Sequence, residues 1–403
     1  MKPDRGLDWL NLLLACIGSA YGAFIPVYLT MQAWTQTQIG VVLTAGTVAS
    51  MVSQVPAGYF IDLIGRRRRI ALYVAVAVTG VVPLVFAITP RGPPVLVAMV
   101  VQAAMGAVLS PAIAAISCAV AGQDGMGERF GRNSRHGSIG AGLGAAIMGA
   151  CGYLGSQRLA FVVAALLTIP ALLAVRGIGP DHTVSTVADQ RQPGLLAPLA
   201  LLKDRRLLVY AACVALFQVA SIAIIQLAAV GVTTRLGSHG ALVIAAFLIV
   251  PQIVVAVLSP WIGRTAGRIG HRPVLVAGFA TVPLRGLLFA TLHNPYLLVP
   301  VQMLEGLGGA TFGVMIPLVA SGLTIGKGHY TLCLSLLGLA GGAGTAVSTA
   351  LAGWVADHHG RTAAYWVLTV AGLAAFALVT LAMPETKPPK AAPPAQTPDG
   401  DAV

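Results

Sequence analysis

Apolar runs, each about 20 residues long, follow one another along nearly the whole chain. A run of that length crosses roughly 30 Å of hydrocarbon as a helix, and in lipid a helix satisfies its own backbone hydrogen bonds. The runs fall at 9–31, 39–61, 70–89, 94–120, 136–155, 159–175, 207–232, 240–262, 273–292, 296–320, 330–353 and 362–383. The longest polar connection, 176–206, separates six runs from six, and its TVSTVADQRQPG stretch reads as a flexible linker. The expected fold is an all-α membrane protein with 12 transmembrane helices in two six-helix bundles, 1–175 and 207–385, followed by a disordered tail at 386–403. The run beginning at Trp9 has no small-residue cleavage site and reads as a retained helix rather than a signal peptide. Composition agrees, with 57% hydrophobic and only 9% charged residues.

A net charge of +12 raises the question of nucleic acid, and the distribution of the charge answers it. With both termini placed in the cytoplasm, only Arg91, Arg158, Arg235 and Arg361 fall in outer loops and only Arg285 inside a span. Every other Lys and Arg lies on the inner side, as the positive-inside rule requires of a multi-pass inner-membrane protein. Basic inner segments attract anionic lipids, so the bilayer is the expected partner and nucleic acid is not. The five cysteines are scattered through apolar runs and read as small hydrophobes. No Walker loop, HExxH or dinucleotide fingerprint occurs, so neither an enzyme nor a cofactor or metal is expected.

The two halves echo each other. Val101-Gln102 and Gly106 recur as Val301-Gln302 and Gly306, and Gly142 and Gly144 recur as Gly342 and Gly344. GYFIDLIGRR at 58–67 is echoed by GRTAGRIGHR at 263–272. Three matches in the same order indicate duplication, and two six-helix repeats around a midplane site is the plan of many secondary transporters.

At GYFIDLIGRRRR the chain resembles the major facilitator superfamily, whose signature between helices 2 and 3 is approximately G-x-x-x-D-R/K-x-G-R-R/K. Gly58, Asp62, Gly65, Arg66 and Arg67 match it, with Leu63 in place of the usual basic residue. The resemblance covers residues 8–385 and implies alternating access, the halves rocking around a cavity lined by helices 1, 4, 7 and 10. On its own physics, Asp62 lies at the inner surface, where the N-terminal end of span 11 presents a positive dipole. These five residues are therefore read either as a cytoplasmic gate or as a topology anchor. Other signatures are altered: Gln102 stands where many proton-coupled members have arginine, and Ala145 where antiporters have proline. PETK at 384–387 is similar to sugar porters, whose other signatures are absent.

Among 13 acidic residues, Glu305 alone lies far from a membrane surface, and Arg285 is its only basic counterpart. An unpaired ion near the bilayer centre costs at least roughly 2.5–3.5 kcal/mol on insertion scales, so such residues face protein or water. The short turn His293-Asn294-Pro295 joins their antiparallel spans and puts both at one depth, within reach of each other. Three readings stand: Glu305 carries a proton, with Arg285 or a cationic substrate stabilising its ionised form; it binds a charged or hydroxylated substrate; or the pair merely fixes helix 9 against helix 10. Burial favours the neutral carboxyl and a nearby cation the charged one, so a conformational change can load or release a proton. Tyr21, Tyr28, Gln102, Gln218, Gln252 and Gln302 mark the substrate cavity or serve as interhelical hydrogen-bond groups. The glycines of spans 5 and 11 suit close, sliding packing, and GERFGRN at 127–133 reads as an inner gate loop with Glu128 paired to Arg132. The sequence thus points to a monomeric secondary transporter, proton-driven and exporting a small, partly hydrophobic molecule; an importer or uniporter of an organic acid or sugar-like solute is the alternative.

Overall fold

The computed structural model describes residues 3–19, 24–89, 92–153, 157–178, 201, 203–236, 240–325 and 329–387. The first half contains α1 (Pro3–Ser19), α2 (Phe24–Met31), α3 (Gln36–Ile64), a 3-10 turn at Gly65–Arg67, α4 (Arg68–Ile88), α5 (Pro93–Tyr153) and α6 (Gln157–Arg176). The second contains α7 (Arg205–Leu236), α8 (Gly240–Ile269), α9 (His271–Thr291), α10 (Pro295–Thr324), α11 (Tyr330–His359) and α12 (Arg361–Ala382). Among the described residues, 10 helices are long and apolar enough to cross a membrane. The expected first span comprises α1 and α2, and α5 holds two spans, which brings the crossings to the expected twelve. The connection at 176–206 and the tail beyond Lys387 lie almost wholly outside the described residues.

Local chemistry explains the helix ends. Thr35 and Gln38 close a capping box at the start of α3, and Asn294 caps α10 one residue before Pro295. Prolines inside α3 to α10 are tolerated because neighbouring helices re-satisfy the freed backbone groups. On α8, Leu242, Ile249, Ile253, Val257 and Trp261 are exposed at near four-residue spacing, the stripe a lipid-facing helix requires.

Two expectations are corrected. Span 5 does not start at 136 after a loop: helix resumes directly after Gly122, whose φ of 65° and ψ of 179° break α5 in a conformation that only glycine adopts freely. GERFGRN is therefore helical. Glu128 points outward, and Arg132 pairs with Asp8 on α1 instead.

The duplication is visible in the packing. A Cβ at Gly144 would lie 2.7 Å from the Cys16 Cα on α1, and one at Gly344 would lie 3.0 Å from the Ala215 Cα on α7. Equivalent spans thus approach each other at equivalent glycines in the two halves.

Each half has its own apolar core, one built on Leu7, Leu10, Leu72 and Ile116, the other on Ile224, Phe247, Phe289 and Leu368. A third core crosses between the halves near the basic end, where Cys118, Met126 and Phe130 of α5 join Ile262, Leu332 and Leu337. There α5 and α8 touch backbone to backbone, since a Cβ at either Gly127 or Gly263 would overlap the other's carbonyl. Ser259 donates to Ser134 at 3.1 Å beside this contact. The structure is closed at its basic end.

Candidate functional site

The turn at 293–295 sets α9 against α10 in a register that brings Arg285 and Glu305 together as an ion pair. Arg285 is 2% exposed and has further fixed partners: Nε donates to Gln302 Oε1 at 3.1 Å and Nη1 to the Ser221 carbonyl of α7 at 3.2 Å. Its guanidinium carbon lies 5.6 Å from the Phe289 ring centroid. One cation thus ties α7, α9 and α10 into one body.

The Glu305 side chain is 30% exposed, so the two members of the pair differ in environment. Seven and eight residues further along α10, Phe312 and Gly313 share its general face by helical geometry. A Cβ on Gly313 would lie 3.2 Å from Ser134 Oγ on α5, in the other half. Glu305 therefore lies on the strip of α10 that faces across the molecule, while Arg285 is enclosed within the second half.

At the closed end, Asp62 accepts hydrogen bonds from Thr331 N at 3.2 Å and Leu332 N at 2.9 Å, at the start of α11. The Thr331 hydroxyl donates to the Gly58 carbonyl at 2.7 Å. Gly58 admits this contact because a Cβ would lie 2.7 Å from both the Thr331 carbonyl and the Ser335 Cβ. An acid at a helix N-terminus is electrostatically favoured, and here the acid belongs to one half and the helix to the other. Gly65, at φ 48°, turns the chain out of α3, and Arg67 is exposed.

A family model for the Major Facilitator Superfamily matches residues 9–254 and 232–400. The chain belongs to that superfamily. An uncharacterized MFS-type transporter of Mycobacterium tuberculosis, in strains CDC 1551 / Oshkosh and H37Rv, is 31% identical over 398 residues, 96% of this chain and 94% of the relative. Among solved structures, the transporter FucP in an outward conformation superposes with a TM-score of 0.78 at 14% identity, covering 94% of this chain and 98% of FucP. The human organic anion transporter MFSD10 gives 0.74 at 17% identity, covering 94% and 100%. These likenesses establish the transporter fold expected from the spans and the 58–67 motif.

The other expected site residues of this MFS transporter are dispersed. Gln302 is wholly buried in its own half, bonded to Arg285, rather than facing its repeat mate. Gln102 is half-buried on α5, and its Oε1 has no protein partner. Gln218 Nε2 donates to Thr345 Oγ1 at 3.2 Å, linking α7 to α11, and Gln252 is half-buried on α8. Tyr28 is packed between Phe86 and Phe161 and donates to the Phe86 carbonyl at 2.7 Å. Tyr21 lies outside the described residues, as does the Arg66 side chain. Of the glycines in spans 5 and 11, Gly140 and Gly144 pack within the first half, whereas Gly338 and Gly342 meet Gln54 and Met51 across the halves.

A charged cluster that the sequence gave no local sign of sits where α1 meets α5. Asp8, 7% exposed, pairs with Arg129 and Arg132, and His136 Nδ1 stands 3.6 Å from it. Arg129, 2% exposed, also reaches Asp4 at 3.3 Å and Asn133 at 3.0 Å. Asn133 in turn donates to Ser117 at 2.7 Å.

The PETK segment is docked. Glu385 accepts from the backbone N–H of His271 at 2.9 Å and of Arg272 at 3.1 Å, capping α9, and Thr386 Oγ1 lies 2.9 Å from His271 Nδ1. Burial pushes the Glu385 carboxyl up, but the N–H groups of Lys387, His271 and Arg272 outweigh it and hold the group below its ordinary value. A depressed acid contributes stability above its unfolded pKa and loses it as pH falls through the folded value. Docking is therefore expected to hold at neutral pH and to release below about pH 4. A spin label at Lys387→Cys is expected to gain mobility in acid, and in Glu385→Gln to be mobile at every pH. A label equally immobile in both proteins removes the cap as the cause.

Proposed function

We propose that this transporter works by alternating access and exports a small, partly hydrophobic organic molecule in exchange for protons, with Glu305 as the proton carrier. The observation that carries the reading is an intramembrane carboxylate, 30% exposed on the strip of α10 facing the other half, bound to a guanidinium that is 2% exposed. Arg285 keeps its partners in α7 and α10 whichever way the halves tilt. Rocking changes only what reaches Glu305, and protonation weakens its hold on Arg285. One group thereby alternates between two states linked to the position of the halves.

Export is favoured by the absence of sugar-porter signatures and by a facing surface poor in charge. A second reading, import of an organic acid or sugar-like solute, is favoured by the fixed Arg285 and by two solved structures of like fold. One is the E. coli fucose:proton symporter FucP, the other an organic anion transporter. Under either reading, Gln102 and Gln218 contribute polar contacts in the cavity, and Gly58, Asp62, Gly65, Arg66 and Arg67 form the cytoplasmic gate. Both termini face the cytoplasm of an inner-membrane protein, as the Lys/Arg distribution favours. A single chain carries both moving halves, so a monomer suffices.

The test is a compound panel in inside-out vesicles with a pH-sensitive dye, comparing wild type with Glu305→Gln. Wild type is expected to move protons in response to at least one compound. Glu305→Gln is expected to exchange that compound across the membrane without moving protons. Equal proton movement in both proteins eliminates Glu305 as carrier.

A further inference from the structure

Four helices of the second half surround a cup at its outer end. The cup has a volume of about 280 Å³ and is lined by Gly231 of α7, His293 beside α10, and Arg361, Thr362 and Tyr365 of α12, with Phe289 of α9 at its floor. Phe289 and Tyr365 are in ring contact at 5.7 Å, and Phe289 lies one helical turn from Arg285. Beneath that floor, two polar atoms in the Arg285 layer have no protein partner, Ser221 Oγ and Gln302 Nε2. Both side chains are more than nine-tenths buried, and both residues bond Arg285 through their other oxygen. A buried donor without a partner costs roughly 1–3 kcal/mol, and a polar site of this kind is where a protein holds water.

We propose that the cup and the Arg285 layer form a proton path through the second half itself, joining the outer solution to Glu305 separately from the route the substrate takes between the halves. A hydronium in the cup gives its proton to a short water chain. The chain passes Phe289 and Tyr365, is held by Ser221 Oγ and Gln302 Nε2, and ends at a carboxylate oxygen of Glu305, leaving water at the mouth. Release outward runs the same steps in reverse. Arg285 stands alongside the chain as a fixed positive charge, so a proton rests there only when Glu305 is ionised and available. The titratable and charged groups along the route are His293 and Arg361 at the mouth, Tyr365 at the floor, and Arg285 and Glu305 below. Of α7, Ala228, Gly231, Val232 and Ser221 take part, none of them ionisable. A separate path lets the proton arrive while substrate occupies the space between the halves, which an exchanger using one shared opening cannot do. The inference rests on Glu305 being the proton carrier.

The test needs no substrate, because the probes are water and the proton. The native cysteines are all buried, so a Thr362→Cys protein takes a bulky maleimide at the mouth of the cup after folding. Hydroxyl-radical footprinting of the intact protein is expected to oxidise Phe289 and Tyr365 several-fold faster than the core aromatics Phe217 and Phe279, and the maleimide is expected to abolish the difference. In rapid-mixing infrared spectroscopy, the carboxyl band missing from Glu305→Gln is expected to answer an outside pH jump at least about tenfold more slowly after labelling, equivalent to about 1.4 kcal/mol of added barrier. Footprinting rates equal to the core controls, or a band whose response is untouched by the label, overturn the path. A Glu305 band that answers no pH at all overturns the carrier reading instead, and the footprinting result distinguishes the two failures.

Discussion

Replacing Asp8 with alanine is expected to cost this transporter about 3–5 kcal/mol of stability, because it strands a buried guanidinium. Arg129 is 2% exposed and keeps only the half-exposed Asp4 as a charged partner once Asp8 is gone. Arg132 loses its carboxylate at the same time. Folded domains carry roughly 5–15 kcal/mol in all, so the loss is a large share. It is expected to appear as a sharp fall in the melting temperature and in the monodisperse yield of detergent-solubilised protein. The cause can be isolated from a simple packing defect. If the penalty is the unpaired charge, Asp8→Leu combined with Arg129→Met restores most of the stability, since a matched apolar pair is close to neutral against a buried ion pair. A double variant as unstable as the sum of its parts shows that geometry, and not charge, holds α1 against α5.

That cluster also shows where reading the sequence stops. Arg285 and Glu305 were legible because a three-residue turn fixes the register of two antiparallel helices, so depth below the turn predicts contact. Asp8 and Arg129 are 121 positions apart, and nothing between them sets a register. Asp8 precedes the first apolar run and Arg129 follows Gly122, so each looked like an ordinary inner-surface charge. Once α1 begins at Pro3 and helix resumes after Gly122, both charges are carried inward on helix and must pair. Gln302 failed for another reason. Its position one turn from Glu305 suggested the same cavity face, but the hydrogen bond to Arg285 Nε turns it into its own half. The twelve spans, the pairing of Asp62 with the start of α11, and the equivalence of the halves followed from pattern alone. Orientation about a helix axis required the neighbours.

Placing leucine at Gly263 is expected to leave both halves folded and to deny them the closed basic end. The contact there is backbone against backbone, and a side chain at Gly263 or Gly127 has only the opposing carbonyl to enter. Gly131 repeats the arrangement one turn on, where a Cβ would lie 2.6 Å from the Ser259 carbonyl and the Pro260 Cα. Helix axes must separate to admit even one methyl group, and with them goes the Ser134–Ser259 hydrogen bond. A penalty near 3 kcal/mol applied to one of two balanced states lowers its population more than about a hundredfold. Transport by alternating access requires that state in every cycle, so turnover is expected to fall to a similar degree at normal expression. Spin labels on the inner ends of α5 and α8 are expected to move apart, into a single wide distance distribution. Gly142→Leu is the control: nothing lies within 4 Å of its Cβ position, and both readings are expected to stay at the wild-type value. If Gly263→Leu keeps the wild-type distances and turnover, the backbone contact between α5 and α8 is not part of the working cycle, and the closed end seen here has to be held by the α3–α11 side alone.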